Sequence, residues 1–116
     1  MQYTEALLET IRKWAKNPID DEWLFEKFRT DVVGLMSPIE AFSSIEETVD
    51  LLLTEDDEST ATELLQTIID LARKSDTTQV PTRLSAVAEE LRKKFQARDE
   101  YARGKLHELF EHYRWR

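Results

Sequence analysis

Apolar residues recur at three- and four-residue spacing along nearly the whole of this 116-residue chain. No alternating stretch long enough for a strand interrupts them, so the pattern predicts helices throughout. The first helix runs from about Thr4 to Lys16, with Leu7, Leu8, Ile11, Trp14 and Ala15 on one stripe. Asn17-Pro18 stops it, because proline disfavours the helical conformation in the residue before it. A second helix is expected to begin near Asp20, where Asp21 and Glu22 suit the positive end of a helix dipole. Its apolar face reads Trp23, Leu24, Phe28 and Val32, and it fades near Gly34.

Ser37-Pro38-Ile39-Glu40 is a strong start signal: serine to cap, proline for the first helical position, and Glu40 to reach back and close a capping box. Phe42, Ile45, Val49, Leu52 and Leu53 mark the buried side of this third helix. Ser43-Ser44 with Glu47 offers a second cap, which would split it. The acidic link Glu55-Asp56-Asp57-Glu58 leads into a fourth helix with the cleanest stripe of all: Ala61, Leu64, Leu65, Ile68, Ile69 and Ala72. Thr60 and Glu63 provide an alternative cap there. Residues 75–81 are polar and β-branched and read as a loop. Leu84, Val87, Ala88, Leu91 and Phe95 then define a fifth helix, and Ala102, Leu106, Leu109, Phe110 and Tyr113 a sixth. The two stripes stay nearly in phase, so one kinked helix over 82–115 is the alternative. A straight helix of that length would reach about 50 Å, which favours a break or bend. The expected architecture is all-α: a single domain over residues 1–116, with five to six amphipathic helices packed as antiparallel hairpins in an irregular bundle.

Composition narrows the chemistry. With no cysteine, disulfides, thiolate nucleophiles and Cys-ligated zinc drop out. The first five residues have no basic or apolar leader character, so no signal peptide is expected. The longest aliphatic run, Leu51-Leu52-Leu53, is far short of a membrane span. A cytoplasmic location follows as the expectation, with no membrane partner.

The net charge of −8 is unevenly placed. Residues 1–72 carry 5 Lys/Arg against 17 Asp/Glu, while residues 73–116 carry 11 against 7. Between Arg29 and Arg73 there is no lysine, arginine or histidine, yet Asp31, Glu40, Glu46, Glu47, Asp50, Glu55, Asp56, Asp57, Glu58, Glu63 and Asp70 all lie there. Helix N-termini favour carboxylates by about 0.3–1 kcal/mol each, which accounts for Asp57 and Glu58. It does not account for Glu46, Glu47, Asp50, Glu55 and Asp56, which crowd the end of the third helix where the dipole opposes them. These seven residues, Glu46, Glu47, Asp50, Glu55, Asp56, Asp57 and Glu58, are the candidate partner-binding set, and their field calls for a basic protein surface. Asp20, Asp21 and Glu22 would extend the patch if the second helix starts beside it. Direct nucleic-acid binding is disfavoured by the same charge.

Catalytic and metal patterns do not assemble. His107-Glu108-Leu109-Phe110-Glu111-His112 resembles a zinc-protease helix at a glance, but that motif needs histidines four apart. At about 100° per residue, a spacing of five puts them about 140° apart, on different sides. His107 and Glu111 are an ordinary i, i+4 pair. The acidic link lacks the glycine of a calcium loop, and no Gly-x-Ser-x-Gly elbow or phosphate-binding glycine loop is present. No catalytic residue, cofactor or metal is assigned, and the chain reads as a non-enzyme. The tail Tyr113-Arg114-Trp115-Arg116 is either an interface anchor or a lid folded back on the core.

Leu71-Ala72-Arg73-Lys74-Ser75-Asp76-Thr77-Thr78-Gln79-Val80-Pro81 and Lys105-Leu106-His107-Glu108-Leu109-Phe110-Glu111-His112-Tyr113, under a third of the chain, resemble the immunity proteins of bacterial toxin–immunity systems, including contact-dependent inhibition. The resemblance implies a cytoplasmic inhibitor that plugs the active site of a cognate toxin domain, often a nuclease with a basic substrate groove. No family site carries over by position, because such interfaces vary from pair to pair. The alternative from a different class is a general helical adaptor module without a toxin partner.

Overall fold

The computed structural model describes residues 3–16 and 23–114. Among them lie seven α-helices and one 3-10 turn, with no strand: α1 (Tyr3–Lys16), α2 (Leu24–Asp31), the 3-10 turn (Val33–Leu35), α3 (Pro38–Thr54), α4 (Glu58–Lys74), α5 (Thr82–Ala86), α6 (Ala88–Gln96) and α7 (Glu100–His112). None of these helices is long and apolar enough to cross a membrane. The expectations placed on residues 17–22 and on Trp115 fall outside the described residues.

α4 is the axis. Thr60, Ala61, Leu64, Leu65, Thr67, Ile68, Ile69, Leu71 and Ala72 are buried, an arc of about 200° at 100° per residue. Such a wide arc needs cover on two sides. α3 packs antiparallel along one, α7 lies on the other, and α1, α2 and the 3-10 turn close the remainder. The principal extents are 38 × 34 × 19 Å, so the thin direction holds two helix layers about 10 Å apart.

All six stripe residues expected for α4, and all five for α7, are buried. α3 keeps Ile45, Val49 and Leu52 fully buried, but its edges are Ala41, Ser44 and Thr48; Phe42 and Leu53 are only half-buried. Hydroxyls can take these places because they bond the preceding turn: Ser44 Oγ donates to the Glu40 carbonyl at 2.8 Å and Thr48 Oγ1 to that of Ser44 at 2.9 Å. Ser43 and Ser44 both donate to Glu40 O rather than capping, so α3 runs unbroken. α1 buries Leu7, Thr10 and Trp14, leaving Leu8 and Ala15 exposed. α2 buries Phe25 and Phe28 instead of Trp23, which stands 60% exposed. An eight-residue helix is too short to fix its own phase, and the edge-on packing of Phe25 against Trp14, with centroids 5.2 Å apart, decides it.

The expected fifth helix is two helices. Val87, at φ −112° and ψ 13°, divides α5 from α6, which raises the number of α-helices above the five or six expected. The break before α7 is real: Asp99 caps it, its Oδ1 accepting from the Ala102 amide at 2.9 Å. At the far end of α4, Asp76 adopts a left-handed conformation (φ 54°) that ends the helix; aspartate tolerates this better than most residues.

Three long-range cations fasten the layers to α4. Arg29, only 13% exposed, bridges Glu63 (2.9 Å) and Asp70 (3.4 Å). Arg73 donates to Glu108 on α7 at 2.7 Å, and that bond, with Lys105 nearby, holds the Glu108 carboxyl below the usual carboxylate range. Lys74 Nζ donates to the Gly34 carbonyl at 2.9 Å.

Replacing Arg29 with methionine should cost about 1–3 kcal/mol, less than for a fully buried pair because both carboxylates still reach water. A urea titration reads this directly. Burial pushes the Tyr113 phenol up to about 12. Its unfolded counterpart ionises near ~10, so its stabilising contribution is complete below that pH and is lost as pH rises through about 12. Tyr113→Phe should therefore flatten the loss of melting temperature over this alkaline window, as followed by circular dichroism.

Candidate functional site

α3 shows one face to α4 and leaves the other open. On the open side, Ile39, Ser43, Glu46 and Asp50 follow a 4-3-4 spacing and fall within about 60° of one another; all four are exposed. Leu35 ends the 3-10 turn four residues before Ile39. Leu35 is 84% exposed and Ile39 82%. From Ile39 to the acidic α3–α4 turn the ridge is about 25 Å long. One end is thus apolar and the other anionic.

The helix start is rigid. Ser37 Oγ accepts from the Glu40 amide at 3.2 Å while the Ser37 amide donates to Glu40 Oε1 at 3.0 Å. The Ser37 amide foremost, with the Ser37 hydroxyl second, keeps the Glu40 carboxyl below its ordinary range. Ile39 therefore projects from a locked first turn.

The seven candidate carboxylates divide by what they touch. Asp57 caps α4, its Oδ2 accepting from the amide and the hydroxyl of Thr60, both at 2.8 Å; Thr60 is therefore not the cap. Glu55 Oε2 accepts from the Asp57 amide at 3.0 Å. Glu47 accepts from the Thr4 hydroxyl of α1. Asp50 pairs with Arg83 of α5 at 2.7 Å. Glu58 lies 3.6 Å from Arg98, whose own side chain is just 10% exposed. Glu46 and Asp56 are exposed and bond to no other described residue.

Cations that the sequence pattern does not place here come from the C-terminal third. α3 has no basic residue in its last turn, and the charge its dipole wants arrives from α6. Lys94 Nζ donates to the Glu55 carbonyl at 2.6 Å, an arrangement that contributes about 0.3–1 kcal/mol. Arg98 donates to the Glu58 carbonyl and to Thr62 Oγ1, both at 2.7 Å, and lies over the Phe95 ring. Three cations thus face seven carboxylates, leaving a surplus of four negative charges around the ridge. Fewer of these carboxylates are uncompensated than the basic-free stretch suggests. Leu35 and Ile39 were not among the expected site residues. The helical period could have found Ile39, which lies about 120° off the Ile45 stripe.

The two histidines make local contacts elsewhere. His107 Nε2 lies 2.9 Å from Glu111. His112 Nε2 lies 3.1 Å from the Thr77 carbonyl, joining α7 to the 75–81 loop. Among the described residues, no three His, Cys, Asp or Glu gather to hold a metal. Comparison of the chain with protein-family models, with curated proteins and with solved structures finds no match.

The division of roles predicts divergent stabilities. Asp57→Ala should cost about 1 kcal/mol as a lost helix cap, whereas Asp56→Ala should stay within about 0.5 kcal/mol. Chemical denaturation of the two variants side by side distinguishes a structural carboxylate from a free one.

Proposed function

We propose that this chain is a non-enzymatic inhibitor, an immunity protein that neutralises a basic toxin domain in the cytoplasm through the α3 ridge and the α3–α4 turn. The observation that carries this reading is the pairing of exposed Ile39, and of Leu35 four residues before it, with a surplus of carboxylates on α3 and the turn that follows it. Charge by itself steers an encounter, raising association rates roughly ten- to a thousandfold at low salt. Lasting affinity needs side chains that are desolvated at the interface. The ridge offers both within one contact face.

In this mechanism, the acidic turn meets the basic substrate groove of the toxin, where it stands in for the phosphates such a groove recognises. Glu46 and Asp56 supply the least compensated charge, with Glu47, Asp50, Glu55, Asp57 and Glu58 completing the anionic half. Leu35 and Ile39 dock beside the groove and slow dissociation. Because Glu55 and Asp57 are held by backbone amides, the turn is ordered before binding, which lowers the entropic cost of association.

The test uses any basic domain encoded immediately beside this chain. Glu46→Lys with Asp56→Lys should lower the association rate at least about tenfold at low salt and flatten its salt dependence. Ile39→Ala should instead raise the dissociation rate. Surface plasmon resonance at two salt concentrations reads both. Unchanged rates and salt dependence in the double variant, or the absence of any neighbouring basic domain that binds, would remove the proposal.

A further inference from the structure

A cavity of about 340 Å³ lies between the first turn of α1, the segment around the 3-10 turn and the first three turns of α3. Its polar side is made by Tyr3 and Thr4, and by Glu40, Ser43, Ser44 and Glu47, which repeat at helical spacing along α3. Its other side is apolar and open to an incoming group: Val32 and Met36 are half-buried and Leu35 is 84% exposed.

Every hydroxyl hydrogen on the polar side is already used. Ser43 and Ser44 both donate to the Glu40 carbonyl, and Thr4 donates to Glu47. Thr48 spends its one hydrogen on the Ser44 carbonyl, so in the 2.7 Å bond between Tyr3 and Thr48 the phenol is the donor. Burial foremost pushes that phenol above its ordinary value against the pull of Thr48, and the Glu47 charge adds to the rise. These side chains therefore offer the cavity acceptors alone, hydroxyl oxygens and two carboxylates. Among the described residues, no lysine, arginine or histidine borders it. An occupant must bring donors and positive charge. The volume is at the lower end for ligand sites, the size of one side chain rather than of a helix. A bare metal ion would make no use of Leu35, and no three His, Cys, Asp or Glu gather to hold one among the described residues.

We propose that this cavity receives an arginine side chain of a partner protein. The methylene stem lies along Leu35, Val32 and Met36, as the stems of long cationic side chains do on apolar surface, and the guanidinium faces Glu47 and the hydroxyl oxygens. Its donors form a flat fork, which suits a wall of several acceptors better than the compact ammonium of lysine. Glu40, held by the Ser37 amide, adds charge from the other end. The cavity shares Leu35 with the proposed contact face, so the inference deepens the inhibitor reading and rests on it for the source of the arginine.

The probe is a capped glycine peptide with one central arginine, compared with the same peptide carrying citrulline, which keeps the shape and loses the charge, or lysine. Titrated onto isotope-labelled protein, the arginine peptide should move resonances of Tyr3, Thr4, Leu35 and Glu47 saturably. It should bind at least about tenfold more tightly than the citrulline peptide, and more tightly than the lysine peptide. Glu40→Gln with Glu47→Gln should abolish the preference over citrulline and leave the circular dichroism spectrum unchanged, because a glutamine carbonyl still accepts from the Ser37 amide and from Thr4. Glu46→Gln with Asp56→Asn should leave the preference intact. No binding, equal binding of arginine and either control, a preference that survives the first double change or is lost with the second, or the same shifts produced by calcium chloride would overturn the inference. The peptide result needs no toxin. Slower association of a basic domain with the Glu46→Lys, Asp56→Lys variant, but no peptide binding, would discard the cavity and keep the inhibitor; peptide binding without any basic partner domain would do the reverse.

Discussion

The two-sided burial of α4 is the constraint on which the rest of the molecule depends. A helix with nine of seventeen side chains buried cannot lie at the surface, and each buried aliphatic side chain contributes about 1.5–3 kcal/mol of transfer free energy. α3 and α7 must therefore flank it. The narrow polar edge that remains is already occupied: Glu63 and Asp70 by Arg29, Arg73 by Glu108, and Thr62 by Arg98. α4 builds the domain and has little surface left for a partner. The exposed surface falls to the helices around it.

Electrostatics follow from this layout. The stretch between Arg29 and Arg73 has no cation of its own, so cations must reach it across the fold. Arg29 covers the middle of α4, Arg83 the middle of α3, and Lys94 with Arg98 the turn between them. Lys94 acts on the Glu55 carbonyl and offsets the negative end of the α3 dipole, while Arg98 acts on Glu58 and Thr62 in the first turn of α4. This explains how a helix can bear Glu46, Glu47 and Asp50 near its C-terminal half without unravelling. It also limits the acidic field to a few side chains, with Glu46 and Asp56 foremost.

How much of this is legible in the sequence depends on the range of the interaction. Spacing alone finds the cores of α4 and α7, because a long amphipathic helix repeats its phase several times. The Ser37–Glu40 capping box is equally local and equally legible. Phe25 is missed, since α2 is too short to set a phase without Trp14. Ser44 and Thr48 are missed because a hydroxyl looks polar in a sequence yet is satisfied one turn back along its own helix. The contacts of Arg83, Lys94 and Arg98 join residues 33 to 40 positions apart, and no pattern within one helix encodes them. The only sequence trace they leave is the positive excess of residues 73–116.

That excess does two things at once, and α6 shows how. Lys94 lies on its inward side and, with Arg98 in the connection that follows the helix, holds the acidic turn, while Lys93 lies one position away and is exposed. A helix advances about 100° per residue, so adjacent basic residues are sent to different faces. Two adjacent lysines on one short helix thus serve different faces. In a structure 19 Å across its short direction, little material separates such faces. The acidic ridge keeps its shape because the basic third of the chain stands behind it, and the same third has cations left over to form a surface of its own.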